Sequence, residues 1–224
     1  MQTHSISYRE FKGYKDRVFP VTLFRYIEGF KGVCIVLPGL GYTSHMPLLY
    51  YPTRYLMELG YDIWRFEYEY GRYEDFLNAP PEEKRKWALG DILSGLEELF
   101  KSERWKSPLV VIGKSLGTRV MGYLFSQDQR FKDSLGIWLT PVFKSRHLRE
   151  ELRQSFQRSL FVIGTSDPHY ERAYIEELSK REEFKVLVFE EADHSLEIDG
   201  DLLGSIDMVK RVVEEIREII EGGR

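Results

Sequence analysis

Cysteine is almost absent from this chain of 224 residues, which contains only Cys34. A lone cysteine has no disulfide partner within the chain, and Cys34 lies in an apolar run, so we expect a buried thiol. No apolar run approaches the roughly 20 residues that span a bilayer. The segment 1–5 lacks the basic and apolar regions of a leader peptide. These absences predict a cytoplasmic protein without membrane contact.

The chain also has no excess of positive charge: 32 Lys and Arg residues face 36 Asp and Glu residues, for a net charge of −4. This balance argues against a nucleic-acid partner. No histidine and carboxylate cluster has the spacing of metal ligands, so we expect neither a metal nor a cofactor. No repeat or linker divides the chain, which predicts a single domain over 1–224. The oligomeric state is left open.

Patterns of strand and helix alternate along the chain. Residues 5–11 and 18–27 alternate apolar and polar positions, as in an antiparallel pair at a sheet edge. Continuous apolar runs, typical of strands covered on both faces, follow at 32–37, 61–66, 108–112, 134–139, 159–163 and 185–189. Helical spacing occurs at 47–59, 82–104, 116–125, 146–156, 170–181 and in the last segment. This order predicts an α/β fold, a mostly parallel central sheet with helices on both faces.

Two connecting regions and the last helix carry more specific predictions. Residues 68–80 are expected to form an aromatic, acidic loop. The connection between the strands ending at 139 and beginning at 159 is too short for a lid domain, so the site should be open. The last helix is expected to pack on the sheet through one apolar stripe: Leu202, Ile206, Val209, Val213, Ile216 and Ile220.

The most informative motif is G-x-S-x-G at 113–117, between a strand pattern and a helical pattern. In such a turn a nucleophilic serine takes a strained backbone conformation, and the flanking glycines avoid collisions of a Cβ atom. The start of the next helix directs free N–H groups to the same point, where negative charge is stabilised. The motif predicts that Ser115 is a nucleophile, but alone it also occurs in loops without chemistry.

Three other motifs accompany this turn in a fixed order. Pro-Gly-Leu-Gly at 38–41 precedes it, and Gly-Thr-Ser-Asp-Pro at 164–168 and Asp-His-Ser at 193–195 follow it. Together the four motifs resemble the α/β-hydrolase family, in its small lidless branch near dienelactone hydrolase, over about residues 18–220. Dienelactone hydrolases have a cysteine nucleophile where this chain has Ser115. Their substrate is therefore not implied.

The resemblance implies a catalytic triad of Ser115, Asp167 and His194. Of the five histidines, only His194 follows a late core strand, where the family places its base. Asp167 also follows a core strand, at the family's position for the acid, while the family's other acid position, 140–142, offers no carboxylate. Asp193 is the rival acid, but as the neighbour of His194 it is poorly placed to hold that ring.

Two backbone N–H groups are expected to hold the oxyanion of a tetrahedral intermediate. By family analogy one belongs to Leu116, the residue after the nucleophile. The second is expected from the loop at 38–41, from Leu40 or, as the fallback, from Gly41. A Gly-rich loop can instead bind phosphate, but this one lacks the corresponding motifs.

Gly41 and three side chains are further candidates for substrate binding. His45 follows the oxyanion loop and is expected to line the pocket, with a solvated loop histidine as the alternative. Lys114 precedes the nucleophile and is expected to attract anionic acyl substrates, with a solvated lysine as the alternative. Tyr68 is expected to form part of an aromatic wall, although such residues also occur as simple packing.

These residues predict a serine hydrolase that cleaves a small carboxylic ester or thioester through an acyl-enzyme. Its partner would be a small-molecule acyl substrate. The same residues also suit acyl transfer to an alcohol or amine. A third hypothesis is a ligand- or partner-binding protein that keeps the fold without turnover.

Overall fold

One mixed sheet runs through the structure, a computed structural model that describes residues 4–222. The first three residues, part of the segment inspected for a leader, and the last two lie outside the described residues. Within that range the strands are β1 (His4–Lys12), β2 (Val18–Tyr26), β3 (Gly32–Leu37), β4 (Tyr61–Phe66), β5 (Leu109–Lys114), β6 (Leu135–Leu139), β7 (Ser159–Gly164) and β8 (Phe184–Phe189). Their order across the sheet is β1-β2-β4-β3-β5-β6-β7-β8.

Helices cover both faces of this sheet. They are α1 (Pro47–Glu58), α2 (Glu74–Asn78), α3 (Pro81–Phe100), α4 (Leu116–Gln127), α5 (Arg146–Arg153), α6 (Arg172–Leu178) and α7 (Leu202–Glu221). Helices α1 and α7 enclose one hydrophobic core, and the other five contribute to a core on the opposite face. No helix within residues 4–222 is long and apolar enough to cross a bilayer.

The predicted fold class is confirmed. β2 pairs antiparallel with both β1 and β4, and the other strand pairs, from β4 to β8, are parallel. Between β6 and β7 the structure has only the short helix α5 as regular structure, so no inserted lid domain occurs within residues 4–222. The carboxyl ends of the parallel strands therefore remain uncovered by an added domain.

The continuous apolar runs are buried, as a strand covered on both faces requires. Every residue of β3, β5 and β7 is buried. Successive side chains point to opposite faces: Ile35 and Val111 belong to one core, and Cys34 and Val110 to the other. The thiol of Cys34 is buried as predicted, and burial raises its pKa well above the ordinary value.

The segment expected to be an aromatic loop is more ordered than predicted. It contains a turn of 3-10 helix at Tyr70–Arg72 and then α2. The rings of Tyr68 and Tyr70 stack with centroids 4.5 Å apart, and those of Tyr70 and Phe76 stack at 4.4 Å. Because aromatic pairs bury large areas and favour defined geometries, this packing fixes the segment against α3.

A buried carboxylate in α3 anchors this aromatic segment. Asp91 accepts a hydrogen bond from the backbone N–H of Tyr14 at 2.6 Å and from the hydroxyl of Tyr70 at 2.8 Å. Burial raises the pKa of Asp91, while both hydrogen bonds act in the opposite direction. These three residues, the Asp91 cluster, join the turn after β1, the segment before α2, and α3.

The predicted packing stripe of α7 is largely wrong. The buried residues of α7 are Ser205, Met208, Val212, Glu215 and Ile216. Leu202 and Ile206, expected against the sheet, are 74% and 54% exposed. The helix is rotated relative to the prediction, and a charged residue, Glu215, lies on its buried face. Two cations make this possible, since Lys185 and Arg211 both form ion pairs with the carboxylate of Glu215.

Candidate active site

The G-x-S-x-G motif forms a sharp turn between β5 and α4. Ser115 has φ 50° and ψ −110°, a region that non-glycine residues rarely adopt and that costs about 1–3 kcal/mol. A Cβ atom at Gly113 would lie 2.2 Å from Sδ of Met121, and one at Gly117 would lie 2.2 Å from the carbonyl oxygen of Leu37. A side chain at Gly117 would push α4 away from β3, and one at Gly113 would displace the side chain of Met121.

The three residues of the predicted triad lie in one hydrogen-bonded chain. Nε2 of His194 lies 2.8 Å from Oγ of Ser115, and Nδ1 lies 2.7 Å from Oδ2 of Asp167. Because a carboxylate only accepts hydrogen bonds, Nδ1 carries the ring proton and donates a hydrogen bond to Asp167. Nε2 is then free to accept a hydrogen bond from the serine hydroxyl. The Asp167 side chain is fully buried, whereas that of His194 is 32% exposed.

Hydrogen bonds join the loops after β7 and β8, and this brings Asp167 and His194 into contact. The N–H of Ser166 donates to the carbonyl oxygen of Ala192 at 3.0 Å. The N–H of Glu191 donates to the hydroxyl of Thr165 at 2.8 Å. Since β7 and β8 are parallel neighbours, both loops leave the same edge of the sheet.

Asp193, the rival acid, has a different place in the structure. Its Oδ1 accepts from the N–H groups of Ser195 at 2.7 Å and Glu197 at 3.0 Å. This carboxylate therefore holds the turn that carries His194, and the hydrogen bond from the imidazole goes to Asp167.

The loop at 38–41 passes beside the serine. A Cβ atom at Gly39 would come within 3.2 Å of the Ser115 Cβ. Within residues 4–222, the N–H groups of Leu40 and Leu116 donate to no protein acceptor. The first belongs to this loop and the second to the first residue of α4. The Leu116 N–H directly follows Ser115 in the chain, and the Leu40 N–H belongs to the loop that passes this serine.

A sequence model of the alpha/beta hydrolase domain matches residues 32–221. The chain belongs to the α/β-hydrolase family. No curated protein matches it.

Solved structures agree with this hydrolase in fold at low identity. An esterase from Pyrococcus furiosus is 14% identical with a TM-score of 0.68, covering 97% of this chain and 93% of that chain. A lidless serine hydrolase from Xanthomonas campestris is 16% identical with a TM-score of 0.67, covering 96% and 94%. Dienelactone hydrolase from Anabaena variabilis is 12% identical with a TM-score of 0.70, covering 95% and 96%.

Two of the residues expected to bind substrate are buried in the hydrolase. The Lys114 side chain is only 1% exposed, so it does not face the cleft as an attractant for anions. Its ammonium instead donates to the hydroxyl of Thr140 and to the carbonyl oxygen of His194. Tyr68 is buried too, and its hydroxyl donates to the carbonyl oxygen of Pro38 at 2.6 Å. Tyr68 therefore contacts the loop at 38–41 from the core, where its ring stacks on Tyr70.

The other two candidates lie at the surface. Gly41 is exposed with φ 76°, in the left-handed region that suits glycine. His45 is exposed in the turn before α1. Leu40 is itself 45% exposed, so the loop that passes the nucleophile is open to solvent.

Two residues near the site were not predicted from the sequence. Thr140, at φ 42°, accepts from Lys114. The His169 ring lies 5.4 Å from that of His194, and burial lowers its pKa. The backbone N–H of His169 donates to Oδ1 of Asp167 at 2.7 Å. The only sequence signal for His169 is its place two residues after the acid.

A sizeable groove is separate from the triad. This groove of about 1210 Å³ lies between α1, the loop at 193–200 and α7. The exposed stripe of α7 forms its apolar wall: Leu202, Ile206, Val209 and Val213. Among the residues that the structure describes, neither Ser115 nor the other two triad members line it. In the same range, no group of three or more potential metal ligands converges.

Proposed function

We propose that this α/β hydrolase is a serine hydrolase that cleaves small carboxylic esters or thioesters through an acyl-enzyme. The observation that supports this most is the chain of hydrogen bonds from Ser115 through His194 to Asp167, at 2.8 and 2.7 Å. These distances are those of an activated nucleophile with an oriented base. The esterase and the lidless serine hydrolase with the same fold favour the same chemistry.

In the proposed reaction, Oγ of Ser115 attacks the substrate carbonyl carbon while His194 takes the hydroxyl proton. The N–H groups of Leu116 and Leu40 stabilise the resulting oxyanion. His194 then gives the proton to the leaving alcohol or thiol as the carbonyl bond to it breaks. Water, deprotonated by His194, attacks the acyl carbon, and the acid leaves as the bond to Oγ of Ser115 breaks and His194 returns the proton to Oγ. Asp167 stays ionised and stabilises the imidazolium in both steps.

The open site bears on the proposed substrate. His194 and Leu40 are partly exposed, and no inserted domain covers them within residues 4–222. We therefore propose small or extended acyl substrates rather than a long chain enclosed in a tunnel. Activity should not depend on a lipid interface, because there is no lid domain for an interface to open.

The test is labelling with a fluorophosphonate probe beside turnover of a panel of p-nitrophenyl esters. Ser115→Ala should abolish labelling and lower kcat/KM by about 10⁴-fold or more. Ser126→Ala, on the same helix and bonded to the carbonyl oxygen of Gly122, is the matched control and should keep both. Turnover should fall at low pH, because a protonated His194 cannot accept the serine proton. A folded wild type that the probe does not label would refute the acyl-enzyme.

A further inference from the structure

The side chain of Lys114 is a buried cation without a carboxylate partner. It belongs to the last residue of β5 and is among the largest fully buried side chains of the protein. The carboxylates that face it are Asp167, Asp193 and Glu197, and none lies within ion-pair distance. Burying an ammonium group without an ion pair costs several kcal/mol. Packing alone does not explain a lysine at this position.

The contacts of this ammonium join three loops around Ser115. Nζ donates to the carbonyl oxygen of His194 at 2.8 Å and to Oγ1 of Thr140 at 2.9 Å. It also lies 4.3 Å from the centre of the Tyr42 ring. Tyr42 closes the oxyanion loop, since its carbonyl oxygen accepts from the N–H of Gly39 at 3.1 Å. Lys114 thus contacts the loops after β3, β6 and β8 from the strand that precedes the nucleophile.

We propose that Lys114 is a positioning residue which, as a cation, holds the His194 loop and the oxyanion loop in place around Ser115. This inference rests on the proposed function. The ammonium has three N–H groups and three electron-rich neighbours: two oxygens and one aromatic face. A neutral amine has only two N–H groups and a lone pair. The lone pair would have to face one of these neighbours, so loss of the proton weakens the anchor.

The groups around the Lys114 ammonium set the pH at which it loses its proton and these contacts weaken. Burial lowers the pKa of Lys114 to about 8, with Asp167, Asp193 and Glu197 acting in the opposite direction. Burial raises the pKa of Tyr42 to about 12, so that ring stays neutral over the same range. His194 faces the ammonium through its carbonyl oxygen, and Thr140 does not titrate. The wild type should therefore lose activity as the pH rises through about 8.

The experiment compares the wild type with Lys114→Met, which keeps an unbranched side chain, one atom shorter, and removes its charge and donors. Ile112→Val, in the same strand and the same core, is the matched control for lost stability. We measure kcat and KM for a p-nitrophenyl ester from about pH 6 to pH 10, and the rate of fluorophosphonate labelling. Lys114→Met should lower kcat by up to about 100-fold, as expected for a displaced base, with KM nearly unchanged.

The pH profile separates positioning from a merely structural role. The alkaline fall near pH 8 should be present in the wild type and in Ile112→Val and absent in Lys114→Met. Thr140→Ala removes one acceptor and leaves the lysine, so it should reduce kcat by about fivefold. If Lys114→Met does not fold, this variant tests the positioning role of Lys114.

Failure of this inference differs from failure of the proposed function. A labelled wild type, with Lys114→Met or Thr140→Ala equal to it in kcat and pH profile, overturns only the role of Lys114. A folded wild type without labelling overturns the proposed function and, with it, this inference.

Discussion

The Asp91 cluster and the Ser115 cluster (Lys114, Ser115, Asp167 and His194) both contain a buried charge beside the same sheet. At Asp91 the carboxylate meets two donors from distant parts of the chain, and the result is a joint between three segments. At Ser115 the nucleophile has a strained backbone and the neighbouring lysine has no ion pair. The first arrangement is explained by stability. The second places a strained backbone and an unpaired buried charge at the site of the proposed reaction. Proteins tolerate such unfavourable features at functional sites.

The largest effect that tests this contrast is expected at Asp167. Asp167→Asn should lower kcat/KM by about 10³-fold or more, because an amide can donate to Nδ1 and so favour the wrong tautomer of His194. The measurement is ester turnover at neutral pH together with the labelling rate. Asp193→Asn keeps the acceptor that holds its own turn, and it should retain activity within about threefold. Equal losses in both variants would contradict the assignment of the acid.

A second test uses the pH dependence of stability. Lys114 keeps its proton to about pH 10.5 when unfolded but only to about pH 8 when folded. Between these values the unfolded state binds more protons, so the free energy of unfolding should rise with pH. The rise should amount to about 2 kcal/mol between about pH 8 and pH 10. Urea unfolding of the wild type and of Lys114→Met at several pH values measures this rise. The contribution of Lys114 to the rise should be absent in the variant.

This stability rises over the range in which activity should fall. A general loss of folded structure at alkaline pH would instead lower stability and activity together. Parallel curves for the wild type and Lys114→Met between about pH 8 and pH 10 would show that the lysine is charged in both states.

An effect of similar size is expected at the Asp91 cluster, and on stability alone. Asp91→Ala leaves the N–H of Tyr14 and the hydroxyl of Tyr70 without their acceptor. The free energy of unfolding should fall by about 2 kcal/mol, with kcat within about threefold of the wild type. Asp75→Ala removes an exposed ion pair with Arg17 and should change stability by less than about 1 kcal/mol. Loss of turnover in a folded Asp91→Ala would break the distinction between the two clusters.

The smallest effect is expected at the residue that links the clusters. Tyr68 stacks on Tyr70 and donates to the carbonyl oxygen of Pro38. Tyr68→Phe keeps the stacking and loses the hydrogen bond, so kcat should fall by about fivefold, equivalent to one hydrogen bond. Tyr73→Phe removes a hydroxyl from the same aromatic segment without touching the loop and should have no effect on kcat. Steady-state kinetics of the two variants decide the point.

Sequence patterns were sufficient for the fold because the signals are local. The apolar runs are continuous where both faces of a strand are covered. A Cβ atom at Gly113 would collide with Met121 of α4, and one at Gly117 would collide with Leu37 of β3. The order of the motifs also located Ser115, Asp167 and His194, which the structure brings together.

The direction of Lys114 was missed, although the sequence contains a signal for it. Side chains alternate along a strand, so Lys114 points to the same face as Val110 and Ile112, into the core beneath α1 and α7. Its place beside the nucleophile suggested the cleft instead. For α7 no such signal exists. Helical spacing identifies the apolar stripe, but the ion pair of Glu215 with Lys185 on the buried face is a tertiary contact that the spacing does not show.

The left-handed backbone of Ser115 has a consequence for how the protein tolerates change. Glycine adopts this conformation without strain, so Ser115→Gly would relieve about 1 kcal/mol or more while removing the nucleophile. A screen that rewards only soluble expression or heat resistance would therefore tend to enrich inactive molecules at this codon. Any effort to stabilise the protein should hold position 115 fixed and select for turnover at the same time.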